Sequence, residues 1–85
     1  MLIPSRNRGK SSWPSLADVP RGAEATLVRS HTEPALRSRL AELGMRPGTT
    51  ITVVQRTSGG GRVVDTGISR YAIDRETLRM MEVRR

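Results

Sequence analysis

The stretch RSRLAELGMRPGTTITVV, residues 37–54, decides the fold, because a helical pattern ends within it and a strand pattern begins. Leu36, Leu40 and Leu43 recur at the spacing of one helix face. Charged and small residues fill the positions between them. The pattern predicts a helix that packs these three leucines inward and exposes a charged outer face.

The end of this helix and the turn after it form one local unit. Gly44 stands where a residue with positive φ commonly ends a helix, and Met45 can then pack back against Leu40. Pro47-Gly48 fits the central pair of a type II turn, because proline fixes φ at the first position and glycine allows positive φ at the second. The β-branched residues that follow predict a strand over residues 49–56. The sequence therefore predicts a helix that turns directly into a strand.

Other short elements are spaced along the rest of the chain. Thr32 is predicted to cap the helix, with Pro34 in its first turn. Asp74 is predicted to cap a single helical turn, and the run Ser58-Gly59-Gly60-Gly61 reads as a loop. Further strand patterns lie at residues 23–30, 63–64, 69–73 and 80–83. Five short strands with one helix predict a fold that is mainly β, a small barrel.

Length and composition limit the classes of protein. The chain has 85 residues, which is room for one domain with a small core. It has no Cys, which excludes a disulfide framework, and no apolar run near the ~20 residues of a membrane span. The opening Met1-Leu2-Ile3-Pro4 is too short for a secretory signal. We expect a cytoplasmic protein with a flexible basic tail over residues 1–12 and a folded domain over residues 13–85.

The charge balance points to an acidic partner. Lys and Arg number 15 against 8 Asp and Glu, a net charge of +7. Nucleic acid, anionic lipid and an acidic protein face all fit that balance. Against nucleic acid, Trp13 and Tyr71 are the only aromatic residues, whereas single-strand binders stack bases on several. Nucleic-acid binding remains the alternative to protein binding.

Candidate catalytic and metal-binding residues are few. His31 is the single histidine, and no pair of carboxylates stands out by its spacing. His31 and Glu33 lie two residues apart and are the nearest approach to a ligand pair, but an iron site usually needs more ligands. We therefore expect no enzyme activity, no cofactor and no physiological metal site.

The stretch Leu40 to Gly48, LAELGMRPG, with the Ile/Val strand, the glycine loop and the closing IDRETLRMMEV, resembles the FeoA family. The similarity runs from about Leu16 to Val83, and L-G-M-x-P-G is its most specific element. The resemblance implies an SH3-like barrel that serves bacterial ferrous iron uptake beside FeoB, a membrane transporter with a cytosolic GTP-binding domain. Iron-dependent repressors of the DtxR type end in the same module. No winged-helix sequence precedes it here, so we expect the stand-alone accessory.

The resemblance also implies contact with the cytosolic part of a FeoB-like transporter, at the inner face of the membrane. We expect this contact on the outer face of the helix, the proline turn and the glycine loop. The predicted partner-binding residues are Arg37, Arg39, Arg46, Pro47, Gly59, Gly60, Gly61 and Arg62. Whether such contact activates, inhibits or assembles the transporter stays open at this point.

Overall fold

The computed structural model describes residues 12–85, so the predicted tail, apart from Ser12, lies outside the described residues. Two helices and five strands follow one another along the chain. They are β1 (Glu24–Ser30), α1 (Pro34–Glu42), β2 (Thr50–Arg56), β3 (Arg62–Asp65), β4 (Arg70–Ile73), α2 (Arg75–Arg79) and β5 (Met81–Arg84). Short 3-10 turns lie at Leu16–Asp18 and Ser58–Gly60.

The five strands form one antiparallel sheet in the order β4-β3-β2-β1-β5. The register shifts between Leu27 and Arg29 in β1, and again between Val53 and Gln55 in β2. Such irregularities bend a strand and increase its twist, which lets a small sheet curl around a core. The predicted small, mainly β fold is confirmed, and the single turn predicted after Asp74 is the short helix α2.

The core is formed mostly by the inward side chains of the strands. In β1 and β2 the buried residues alternate with more exposed ones, as a sheet with one covered face requires. Residues from the N-terminal 3-10 turn and from α2 close the remaining side. The buried apolar residues are Leu16, Val19, Ala25, Leu27, Leu40, Met45, Ile51, Val53, Val64, Ile73, Leu78, Met81 and Val83.

Helix α1 contributes less to this core than its leucine pattern predicts. Leu40 is buried and Leu36 packs partly against the core, but Leu43 is 36% exposed. The prediction that all three leucines pack inward is therefore wrong for Leu43. Leu43 lies about 60° around the helix from Leu40 and is the C-cap of a nine-residue helix. The sheet meets the helix on the side of Leu40, which leaves Leu43 at the edge of the contact.

The helix also begins one residue later than predicted. Its N-cap is Glu33, and Pro34 occupies the first helical position. A residue before proline is held out of the helical region, and Glu33 is extended, with φ −62° and ψ 156°. The prediction that Thr32 caps the helix is therefore wrong. The Thr32 hydroxyl is buried without a hydrogen-bond partner in the part of the chain described.

The end of α1 has the predicted geometry. Gly44 adopts φ 95°, and its N–H donates to the carbonyl of Ala41 at 3.0 Å. The N–H of Met45 donates to the carbonyl of Leu40 at 2.9 Å. These two bonds define a Schellman motif, and the buried Met45 packs in the same apolar cluster as Leu40.

The turn that follows is fixed at several points. The N–H of Thr49 donates to the carbonyl of Arg46 at 2.9 Å, which closes the turn around Pro47 and Gly48. Gly48 adopts φ 95°, and its N–H donates to the carbonyl of Leu27 in β1 at 2.7 Å. The hydroxyl of Thr49 donates to the carbonyl of Gly44 at 3.1 Å. The turn is therefore bonded both to the helix end and to the sheet.

Candidate partner-binding surfaces

The predicted partner-binding residues fall into two groups at opposite ends of β2. Arg37, Arg39, Arg46 and Pro47 precede this strand, and the glycine loop with Arg62 follows it. Seven residues of extended chain separate the two ends by about 20 Å. The structure does not bring the two groups together on one patch, so they form two separate candidate surfaces.

The first group lies on a surface that we call the corner surface, formed by the outer side of α1, the turn at residues 45–48 and the β3–β4 turn at residues 66–69. Antiparallel pairing places the β3–β4 turn at this end of the sheet, because Asp65 lies opposite Thr52 near the start of β2. A Cβ placed on Gly44 would lie 3.8 Å from the hydroxyl of Thr66. The two turns are therefore neighbours.

The arginines of the corner surface are exposed. Arg37, Arg39 and Arg46 all lie in solvent, as does Pro47. The Nε of Arg46 donates to the carbonyl of Ala41 at 3.0 Å, where it also complements the negative end of the helix dipole. This bond holds the stem of Arg46 against the helix end while its charge stays at the surface.

The β3–β4 turn is held by a network around Asp65. The N–H of Gly67 donates to Oδ1 of Asp65 at 2.6 Å, and Nε of Arg70 donates to Oδ2 at 3.0 Å. The N–H of Thr66 donates to the carbonyl of Ser69 at 3.0 Å. The hydrogen bond from Gly67, and after it the one from Arg70, lower the pKa of the Asp65 carboxyl. At the tip of this turn Ile68 is 87% exposed.

Sequence reasoning missed Ile68 as a surface residue. The local signal was present, because Thr66-Gly67-Ile68-Ser69 lies in a turn between two strands, and connecting turns run over the protein surface. The position of this turn beside the helix end depends on strand pairing, which the sequence pattern alone did not give.

At the other end of β2 the glycine loop is packed at Gly61, while Ser58, Gly59 and Gly60 are exposed. Gly61 is buried, and a Cβ on it would lie 2.5 Å from the hydroxyl of Thr57 and 2.9 Å from the carbonyl of Ile73. A Cβ on Gly60 would lie 2.8 Å from Cδ of Arg75. Gly59 is exposed, with φ 72°. Two of the three predicted contact glycines are therefore in close contact with the chain itself.

Arg62 is engaged within the fold. Its Nη2 donates to the carbonyl of Ala17 at 2.5 Å, which ties β3 to the N-terminal 3-10 turn. Burial lowers the pKa of Arg62, and the positive charge of Arg56 directly across the strand pair lowers it further. This guanidinium serves the fold, whereas Arg46 presents its charge at the surface.

His31 lies in a cluster that sequence reasoning did not find. Its ring stacks on Trp13, with centroids 3.8 Å apart, and its Nε2 lies 2.8 Å from Oε1 of Glu82. The indole N–H of Trp13 donates to the carbonyl of Arg79 at 3.2 Å. The cluster holds the segment before the first 3-10 turn against β5, and the sequence gives no local signal for it because its members come from three distant segments.

The two residues considered as metal ligands are not brought together. His31 faces Glu82, while Glu33 is the exposed N-cap of α1. Among residues 12–85, no three His, Asp or Glu side chains are grouped in a way that could hold a metal ion. No helix in the same part of the chain is long and apolar enough to cross a membrane.

Comparison with known families identifies the domain, since the FeoA domain model matches residues 15–85. The chain belongs to the FeoA family. This family consists of accessory or regulatory proteins of iron uptake and is not known as an enzyme family. A search of curated protein sequences found no match.

Solved structures of FeoA proteins share the fold. The FeoA of Stenotrophomonas maltophilia, crystallised with zinc, is 26% identical with a TM-score of 0.69, and the match covers 81% of this chain and 87% of that one. It is described as a prokaryotic SH3 domain protein, for which a role as a ferrous iron transport activating factor has been suggested. The predicted SH3-like architecture is therefore confirmed.

Two further structures extend the likeness. The crystal structure of an iron uptake regulatory protein, FeoA, is 25% identical with a TM-score of 0.73 and is covered over 93% of its length and 84% of this chain. The FeoA protein of Chlorobium tepidum, solved in solution, has a TM-score of 0.77 at 24% identity, with 82% of this chain and 68% of that chain covered. At this identity the last comparison concerns the fold alone.

Proposed function

We propose that this FeoA-family chain is an accessory protein of ferrous iron uptake that binds the cytosolic portion of a FeoB-type, GTP-binding membrane transporter and modulates it. The proposal places the protein at the inner face of the membrane, with residues 13–85 as the binding domain. One observation carries it: the motif L-G-M-R-P-G joins the helix end to β2 in a hydrogen-bonded corner, and the surface at this corner exposes Arg37, Arg39 and Arg46.

The corner surface suits a protein partner with an acidic face. Arg39 and Arg46 extend from a helix end and a turn that are bonded to each other and to the sheet, so docking them costs little backbone entropy. A net charge of +7 also speeds association with an acidic face. The loop end offers less, because Gly61 is buried and Arg62 is bonded to Ala17.

Nucleic-acid binding, the alternative raised by the charge, is less well supported. Trp13 is stacked on His31 and donates to a backbone carbonyl, and Tyr71 packs partly against the core. These are the only aromatic residues of the chain. Trp13 is occupied by its stack and its hydrogen bond, and Tyr71 is partly covered, whereas single-strand binders stack bases on several exposed aromatic side chains.

The test is a binding titration of the full chain with the soluble GTP-binding portion of the FeoB-type transporter from the same genome. The variant Arg39→Glu with Arg46→Glu is expected to bind at least about tenfold more weakly, because two charges that complement the partner become repulsive. The control is Arg21→Glu with Arg56→Glu, two exposed arginines near the other end of β2 that give the same change in net charge.

The control variant is expected to stay close to wild type in affinity, and both variants are expected to melt close to wild type. Equal weakening by both pairs would show that net charge alone drives association. Failure of the wild-type chain to bind would contradict the proposed function itself.

A further inference from the structure

Ile68 has the largest exposed fraction of any large apolar side chain in the described residues, at 87%. The others named as exposed, Val28 and Leu43, reach only 37% and 36%. We infer that Ile68 inserts into an apolar pocket of the partner protein, and that carboxylates surround this pocket. The inference rests on the proposed function and names the central contact of that interface.

The turn that carries Ile68 is built to hold it outward. Asp65 accepts from the N–H of Gly67 at 2.6 Å and from Nε of Arg70 at 3.0 Å, on either side of the isoleucine. The hydroxyl of Thr66 accepts from the N–H groups of Ile68 and Ser69, both at 3.4 Å. A side chain on such a bonded turn is pre-organised, so its insertion loses little conformational entropy.

The surroundings of Ile68 have the composition of an interface. Leu43, at the end of α1, adds a second partly exposed apolar side chain on the corner surface. Exposed Arg39 and Arg46 lie on the same surface, at the end of α1 and on the turn beside the Ile68 turn, whereas the charge of Arg70 is paired with Asp65. Protein interfaces commonly place an apolar centre within a charged or polar rim. The arginines therefore call for carboxylates around the pocket that receives the isoleucine.

The charge and the small apolar area of the corner surface also distinguish between the partners that could cover Ile68. The exposed arginines of this surface, Arg37, Arg39 and Arg46, outnumber its exposed carboxylate Glu42, so two copies that met through it would bring like net charge together, which disfavours a second copy. Insertion into a lipid interface scales with buried apolar area, and one isoleucine with a partly covered leucine supplies little. A protein pocket lined by apolar groups and edged by carboxylates fits both the exposed isoleucine and the arginines on the same surface.

The test compares two substitutions at one position, with the GTP-binding portion of the FeoB-type transporter as the probe. Ile68→Ser removes the apolar group and is expected to weaken binding by at least about tenfold, which corresponds to burial of one aliphatic side chain. Ile68→Val keeps most of that group and is expected to bind within about threefold of wild type. Both variants should melt like wild type, because Ile68 lies outside the core cluster.

The outcomes separate the two proposals. If wild type binds and Ile68→Ser binds equally well, the inference fails while the proposed function stands. If wild type does not bind, the proposed function fails and the inference with it. Ile68-dependent binding to vesicles of equal parts phosphatidylglycerol and phosphatidylcholine would contradict the inference, because it would show that Ile68 inserts into a membrane and not into a protein pocket. Ile68-dependent dimers in a sedimentation experiment would also contradict it, because they would show that Ile68 packs against a second copy of the chain.

Discussion

The turn at Pro47-Gly48 and the loop at Ser58–Gly61 lie at the two ends of β2, and glycine has a different task in each. Gly48 adopts φ 95° with nothing within 4 Å of the place a Cβ would occupy, so its backbone conformation requires glycine. Gly61 has an ordinary φ of −73° but lies against the carbonyl of Ile73. The first glycine shapes a surface, and the second allows the chain to pack.

The arginines at the two ends of β2 also differ, since one lies at the surface and the other is engaged within the fold. Arg46 is exposed and is bonded to the helix end through Nε, whereas Arg62 is partly buried, donates to Ala17 and has a lowered pKa. A cationic residue next to a glycine turn can therefore serve either binding or folding. Burial and hydrogen-bond partners, rather than the residue type, distinguish the two.

The largest effect is expected at the loop end, from Gly61→Ala. Its new Cβ would meet a backbone carbonyl at 2.9 Å, so β4 must shift, and we expect a loss of about 2 kcal/mol in unfolding free energy. Urea unfolding followed by the fluorescence of Trp13 measures it. A variant as stable as wild type would show that this loop is loosely packed and free to serve as a contact surface.

A smaller loss is expected at the corner, from Gly44→Ala. There is room for the methyl group, with Thr66 Oγ1 at 3.8 Å, but φ 95° is unfavourable for an L-residue, at about 1 kcal/mol. Gly44→Asn is the matched variant, since asparagine tolerates positive φ better, and it should lose less. Urea unfolding of both checks this order. Asparagine losing more than alanine would point to crowding, as at Gly61, and would remove the contrast between the two ends.

The smallest effect is expected from Asp65→Asn in the turn that carries Ile68. The pKa of the Asp65 carboxyl is lowered in the folded protein, chiefly by the N–H of Gly67 and then by Arg70. Its contribution is therefore present above the ordinary carboxyl pKa and is lost as the pH falls through the lower, folded value. The variant should melt slightly below wild type at neutral pH, and the two should converge in acid.

Thermal melts across the acidic range provide this measurement, with Glu24→Gln, an exposed carboxylate on β1, as the control. A gap between Asp65→Asn and wild type that stays constant into strong acid would show that the charge of Asp65 does not hold the turn.

The parts of the fold that follow local rules could be predicted from sequence. The Schellman end at Gly44, the type II turn at Pro47-Gly48 and the alternation of β2 each depend on residues within one turn or one strand. The five strands and the SH3-like class follow from these elements and from the family motif. The late helix start also follows a local rule, since Pro34 keeps Glu33 out of the helical region in spite of the capping preference of Thr32.

The parts of the fold that depend on contacts between distant segments could not be predicted from sequence. Leu43 fits the helix pattern, and only the line along which α1 meets the sheet makes it an edge residue. Arg62 looks like a surface charge until the carbonyl of Ala17 is placed beside it. Strand pairing and the approach of Thr66 to Gly44 place the turn that carries Ile68 beside the helix end, and the length of β2 places the glycine loop about 20 Å from that end. The sequence therefore predicted the exposed arginines and proline of the corner, and it missed that Gly61 and Arg62 are engaged within the fold.

The most direct test of the central claim, that the corner surface is the docking surface, is an NMR titration of the labelled full chain with the GTP-binding portion of the FeoB-type transporter. The amide signals of residues 43–46, 48 and 66–69 are predicted to shift or broaden, while those of residues 57–62 stay unchanged. Changes confined to the glycine loop, or spread evenly over the chain, would contradict the claim.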